Sequence, residues 1–206
     1  MNLTLKESLV TRSRVFSPWT AFYFLQSLLI NLGLGYPFSL LYTAAFTAIL
    51  LLLWRTLPRV QKVLVGVSSL VAACYFPFAQ AYGAPNFNTL LALHSTNMEE
   101  STEILTIFPW YSYLVGIFIF VLGVIAIRRK KESEKARWNT FDSLCLVFSV
   151  ATFFVAPVQN LAWGGVFKLK DTGYPVFRFA KDVIVNNNEV IEEQERMAKL
   201  SGMKDT

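Results

Sequence analysis

The sequence predicts an all-α integral membrane protein, a bundle of five transmembrane helices with short periplasmic and interfacial helices beside it. Hydrophobic residues make up 54% of the 206 residues and charged residues only 16%, whereas roughly a quarter of an average soluble domain is charged. Mean hydropathy is +0.43, and five apolar runs each have about the length that crosses a bilayer. The expected spans are residues 18–34, 37–54, 62–82, 110–127 and 141–163.

The lysines and arginines between these runs predict the orientation of the bundle. They lie before the first run and in the loops that follow the second and fourth runs, while loop 83–109 has none. Because basic loops stay on the cytoplasmic side, we expect a cytoplasmic amino terminus, a periplasmic loop at 83–109 and a periplasmic carboxyl terminus. This distribution accounts for the net charge of +5 without nucleic acid as a partner.

The tryptophans support the same five spans, since indole rings favour the membrane–water interface. All five fall at span ends: Trp19, Trp54 and Trp138 at the inner edge, and Trp110 and Trp163 at the outer edge. Residues 1–163 are therefore expected to form the transmembrane domain. Residues 164–206 are expected to form a periplasmic juxtamembrane linker.

Polar side chains inside the expected spans are costly in hydrocarbon and therefore informative. Most lie in the outer half of the bundle: Gln26, Asn31, Gln80, Gln159 and Asn160. Two interpretations remain open from the sequence. These residues form hydrogen bonds between helices, or they line a hydrated notch that receives a lipid headgroup from the outer leaflet.

The loop between the third and fourth spans carries the most specific pattern, Thr-Asn-Met-Glu-Glu-Ser at residues 96–101. Thr96 and Glu99 have the spacing of a helix capping box, which accounts for Glu99 structurally. Thr96 and Glu100 are four residues apart and would share a helical face. A carboxylate among hydroxyl groups suits an ammonium headgroup, which it can meet with charge-assisted hydrogen bonds. Asn97 and Ser101 stand beside them.

This signature and the five spans resemble the membrane domain of bacterial phosphoethanolamine transferases, a family similar to alkaline phosphatases and sulfatases. The resemblance implies that Thr96 and Glu100 line the site of the donor lipid, phosphatidylethanolamine, in the bacterial inner membrane. Asn97 and Ser101, beside them in the signature, are expected to belong to the same substrate-binding site. Ala92 stands where the lipid A enzymes of the family have an asparagine. The whole chain looks most like the family member that modifies osmoregulated periplasmic glucans, so a glucan is the expected acceptor, with lipid A and core oligosaccharide as alternatives.

The family's threonine nucleophile and zinc ligands are expected outside this chain. The sequence has one histidine, His94, and two cysteines, whereas zinc needs several converging ligands. We therefore expect no catalytic residue, no metal site and no cofactor in this chain, which alone would be inactive. Zinc would belong to an absent periplasmic catalytic domain, the expected partner of the linker together with membrane lipids.

Two further expectations concern the linker and the function. Apolar residues at helical spacing predict one helix from Pro175, an interruption at Asn186–Asn188, and a second helix from about Glu189 to Leu200. A stand-alone membrane scaffold or small-solute carrier is the alternative function. Carriers usually show internal repeats and broken helices, and the five spans show no repeat, which favours the transferase.

Overall fold

The computed structural model describes residues 18–95, 106, 108–129, 140–162 and 173–202. In these ranges the chain forms seven helices and no strand, which confirms the all-helical fold. They are α1 (Pro18–Gly33), α2 (Leu40–Thr56), α3 (Pro58–Tyr82), α4 (Phe87–Ser95), α5 (Trp110–Arg128), α6 (Thr140–Ala162) and α7 (Pro175–Gly202).

Helices α1, α2, α3, α5 and α6 coincide with the five apolar runs to within a few residues. The largest difference is the start of α3, at Pro58 rather than at residue 62. Proline suits the first turn of a helix because its missing N–H would have no partner there. Between α1 and α2, Gly35 has φ +80° and makes the turn, a conformation that glycine adopts without strain.

Three of the described helices are long and apolar enough to cross a membrane by length and composition: α3, α5 and the Thr140–Gln159 part of α6. Helix α2 is apolar but has 17 residues, and the described part of α1 has 16. All five helices pack into one bundle in which α3 packs against α5 and α1, α2 packs against α1 and α6, and α1 also contacts α5. Gly123 allows α5 to approach Ser69 of α3 closely.

One end of this bundle is held together by arginine side chains. The Arg129 guanidinium lies 4.1 Å from the centre of the Trp19 ring and 4.2 Å from that of Trp54. Arg55 at the end of α2 forms an ion pair with Asp142 at the start of α6. We call this the basic end of the bundle. The turn between α1 and α2 lies at the other end, which we call the outer end.

Helix α7 corrects the expectation of two linker helices, because it runs without a break from Pro175 to Gly202. Within it, the Asn186 side-chain amide donates to the backbone carbonyls of Asp182 at 2.6 Å and Pro85 at 3.4 Å. The asparagine therefore bonds along its own helix instead of ending it. Val190, one turn later, is fully buried. These tertiary contacts override the low helix propensity of the three asparagines.

Candidate functional site at the outer end

Helix α4 leads directly into the predicted lipid-binding signature. Asn86 directly precedes α4 and caps its first turn. The Asn86 side-chain oxygen accepts from the Thr89 backbone N–H at 3.0 Å and from the Thr89 hydroxyl at 3.1 Å. Helix α4 packs against α7, and Asn186 of α7 donates to the Pro85 carbonyl just before α4. His94 near the end of α4 is exposed. The chain thus enters the signature from a helix fixed at the outer end.

The signature itself lies outside the described residues, which stop at Ser95 and resume at Thr106. The expectations for Thr96, Asn97, Glu100 and Ser101 therefore stay predictions, as does the capping box of Thr96 and Glu99. The structure shows only how the signature is attached, because the described part of α4 reaches Ser95, the residue before Thr96.

Two of the polar residues predicted for a headgroup notch lie inside the bundle. Gln26 is fully buried, and its side-chain amide donates to the Ser69 hydroxyl of α3 at 2.7 Å. Asn31 is 1% exposed and donates to the Thr43 hydroxyl of α2 at 3.0 Å. These contacts correspond to the first interpretation, hydrogen bonds between helices.

The remaining notch residues are placed differently. Gln80 near the end of α3 accepts a hydrogen bond from the Ser112 hydroxyl in the first turn of α5, although it is exposed. Gln159 of α6 is exposed, and the side chain of Asn160 lies outside the described part. Gln26, Asn31 and Gln80 thus pair with three different helices, and Gln159 lies on the surface.

The buried amides belong to a longer set of polar side chains along α1. At the basic end, the Gln61 amide donates to the Tyr23 hydroxyl at 3.3 Å. One turn further along α1, the Ser27 hydroxyl accepts from Thr47 at 3.2 Å. The side-chain oxygens of Gln26, Asn31 and Gln61 accept no hydrogen bond from the described residues. A buried amide oxygen without a hydrogen-bond donor costs free energy of folding. Each of these three oxygens can still accept a hydrogen bond.

A polar cluster at the outer end escaped the sequence analysis. The Tyr36 hydroxyl donates to the Asp182 carboxylate of α7 at 2.8 Å, and the Arg178 guanidinium lies 4.9 Å from the centre of the Tyr36 ring. Burial raises the pKa of Tyr36 far above its ordinary value, and the hydrogen bond to Asp182 raises it further. The phenol therefore stays protonated and keeps donating. A tyrosine in a turn gave no signal for a partner 146 residues away.

The described residues include no group of three or more histidine, cysteine, aspartate or glutamate side chains that could hold a metal ion. Zinc therefore has no site of that kind in the ranges that the structure covers. The expectation that zinc is bound elsewhere in a longer protein stays a prediction.

Comparison with curated proteins identifies a relative along the whole chain. Phosphoethanolamine transferase OpgE of Escherichia coli (strain K12) is 98% identical over 206 residues. The resemblance to phosphoethanolamine transferases is confirmed. The chain spans 39% of that relative's length, in its amino-terminal part. No family model matches the chain, and no solved structure matches it.

Proposed function

We propose that this chain is the membrane part of a phosphoethanolamine transferase. In the complete protein it anchors the enzyme in the bacterial inner membrane and docks the donor, phosphatidylethanolamine, at the outer end of the bundle. The identity of 98% to a phosphoethanolamine transferase carries this proposal. The acceptor is a periplasmic or cell-envelope molecule, and the resemblance favours periplasmic glucan.

We further infer that α1, α2, α3, α5 and α6 all cross the membrane, with the basic end cytoplasmic. Arginine and tryptophan meet at that end, where Arg129 stacks on Trp19 and Trp54, and both residue types favour an interface. The same contacts place the start of α1 and the end of α2 level with the end of the longer helix α5. An odd number of spans then brings the start of α7 to the periplasmic side.

The donor site proposed here is the signature of Thr96, Asn97, Glu100 and Ser101. Its support is chemical, since the Glu100 carboxylate can accept from the ammonium group and the hydroxyls can donate to phosphate oxygens. It is also positional, because α4 holds the preceding residues against α7. The nucleophile and zinc of the transfer step would come from the remainder of the complete protein.

Docking can be separated from anchoring by a chimera. Residues 1–206 of the complete protein are replaced with an unrelated single-helix anchor, and transfer of labelled phosphoethanolamine to glucan is measured in cells. If the chain docks the donor, transfer is lost while the amount of membrane-bound protein is unchanged. Equal transfer by the chimera would reduce the role of this chain to anchoring. A parallel assay of lipid A tests the acceptor.

A further inference from the structure

The outer end of the bundle has a step in height. The described part of α1 and helix α2 are each roughly 25 Å long at 1.5 Å per residue, less than the roughly 30 Å of hydrocarbon in a bilayer. The start of α1 and the end of α2 both lie at the basic end, because Arg129 contacts Trp19 in α1 and Trp54 in α2. In the membrane-spanning arrangement proposed above, the missing length is therefore at the outer end, at the turn between α1 and α2.

The neighbouring helix α6 continues past this turn. The Ser149 hydroxyl donates to the Ala45 carbonyl of α2 at 3.4 Å, which sets the two helices level there. From that level α2 continues only to Leu40 and α6 continues to Ala162, about eight residues or about 12 Å further. A recess is left beside α6, above the α2 side of the turn, whereas on the α3 side the backbone of Gly83 and Ala84 lies against Gly35.

The first half of α7 fills this recess. Just before it, the Tyr174 hydroxyl donates to the Ser149 carbonyl of α6 at 2.8 Å. Asp182 then accepts from Tyr36 in the turn. On the far side, the Phe179 ring meets the Tyr75 ring of α3 edge to face at 5.0 Å. Helix α7 therefore crosses from α6 to α3 directly over the short helices.

The other side of α7 is apolar where it crosses the recess. Phe177 is 47% exposed and Ile184 is 61% exposed. Residues seven apart in a helix lie within about 20° of each other around its axis, so these two share a face. Arg178 and Lys181 lie beside this face, whereas the second half of α7 carries Glu189, Glu192, Glu193 and Glu195.

We propose that the first half of α7 lies in the outer leaflet, with Phe177 and Ile184 against lipid acyl chains and its basic residues near the headgroups. The second half leaves the membrane at its glutamates, which anionic lipids repel. Helix α6, which Tyr174 contacts just before α7, also exposes the apolar side chains of Phe154, Val158 and Leu161. This inference rests on the membrane-spanning arrangement proposed above.

Spin labels in the whole chain test the proposal in nanodiscs of phosphatidylethanolamine and phosphatidylglycerol. Single cysteines are introduced as Ile184→Cys, Glu192→Cys and Phe118→Cys, with Cys74 and Cys145 replaced by alanine. Phe118 lies exposed on α5 and marks the acyl chains. Relaxation by oxygen reports lipid, and relaxation by a water-soluble nickel chelate reports water.

We expect the nickel-to-oxygen ratio at position 184 to be severalfold lower than at position 192 and similar to that at position 118. Equal ratios at 184 and 192, with a lipid-like label at 118, would overturn the placement of α7 and leave the membrane bundle intact. A water-exposed label at 118 would overturn both proposals. Phe177→Cys repeats the measurement two turns earlier.

Discussion

Gly116 on α5 faces the backbone carbonyl of Ala73 on α3, and a Cβ added to Gly116 would lie 2.7 Å from that carbonyl oxygen. Pro77, four residues after Ala73, lies inside α3 and has no N–H to donate to this oxygen. The proline thus frees a carbonyl at the position where α5 approaches α3. Only glycine at position 116 leaves room for this carbonyl oxygen while α5 lies so close to α3.

We predict that Gly116→Ala destabilises the bundle by about 1–3 kcal/mol, the usual cost of overpacking. The unfolding midpoint of the chain in detergent measures this. Gly66→Ala is the matched control, because its added Cβ would meet the flexible end of Ile127 at 3.0 Å. Alanine is also the better helix former by about 1 kcal/mol, so this control should be neutral or stabilising. A Gly116→Ala variant as stable as the control would contradict the close contact.

Arg129→Gln should loosen the basic end, because it removes the charge that stacks on Trp19 and Trp54. Cation–π contacts contribute about 0.5–2 kcal/mol each. We expect a lower unfolding midpoint and a shifted tryptophan emission spectrum. Arg128→Gln removes the neighbouring, exposed arginine and should change neither quantity. Identical effects of the two substitutions would point to net charge rather than stacking.

The pair of Gln26 and Ser69 distinguishes a structural hydrogen bond from a headgroup notch. Ser69→Ala alone removes the acceptor of the buried Gln26 amide and should destabilise the chain by about 1–3 kcal/mol. The double variant Gln26→Leu with Ser69→Ala removes both partners and should recover most of this loss. If the pair is structural, phosphoethanolamine transfer by the complete double variant is unchanged. Lost transfer in a stable double variant would favour the notch.

The orientation predicts that a cysteine at position 98 is labelled by a membrane-impermeant thiol reagent from the periplasm. The matched variant is Ser133→Cys, in the basic loop between α5 and α6, which should react only after the membrane is permeabilised. Cys74 and Cys145 are replaced first in both variants. Labelling of position 98 from the cytoplasm alone would reverse the topology and remove the donor site from the outer leaflet.

Glu100→Gln in the complete protein should lower transfer of phosphoethanolamine. The change keeps the shape of the side chain and removes a charge-assisted hydrogen bond of roughly 1.5–3 kcal/mol, which corresponds to a decrease of roughly ten- to a hundredfold. Glu99→Gln is the control, since the predicted capping box gives Glu99 a role in helix stability. Equal loss of activity in both variants, at constant protein level, would show that the two acids act together.

The sequence predicted where the helices lie along the chain better than it predicted which of their residues contact one another. Apolar runs and tryptophans locate α1, α2, α3, α5 and α6, because the length of a span is set by the bilayer. Nothing local could pair Gln26 with Ser69 or Arg55 with Asp142, since these contacts join residues 43 and 87 positions apart. The continuity of α7 was missed for the same reason: it depends on Val190 being buried and on Asn186 reaching Pro85.

The candidate site was predicted in part. Sequence reasoning located its residues by a local signature and by their cost in hydrocarbon, and it singled out Gln26 and Asn31, which the structure places in the bundle interior. It missed the cluster of Tyr36, Asp182 and Arg178. That cluster connects a turn to a distant helix, and neither segment reveals the other by spacing or periodicity.

The arginine contacts at the basic end make that end a pivot. Helices α1, α2 and α5 meet there around Arg129, so a change in their relative tilt displaces the basic end least and the outer end most. A tilt of about 5° over the roughly 30 Å of a bilayer core moves a helix tip by about 2.6 Å. We therefore expect small angular motions to be amplified at the periplasmic surface, where a lipid would enter.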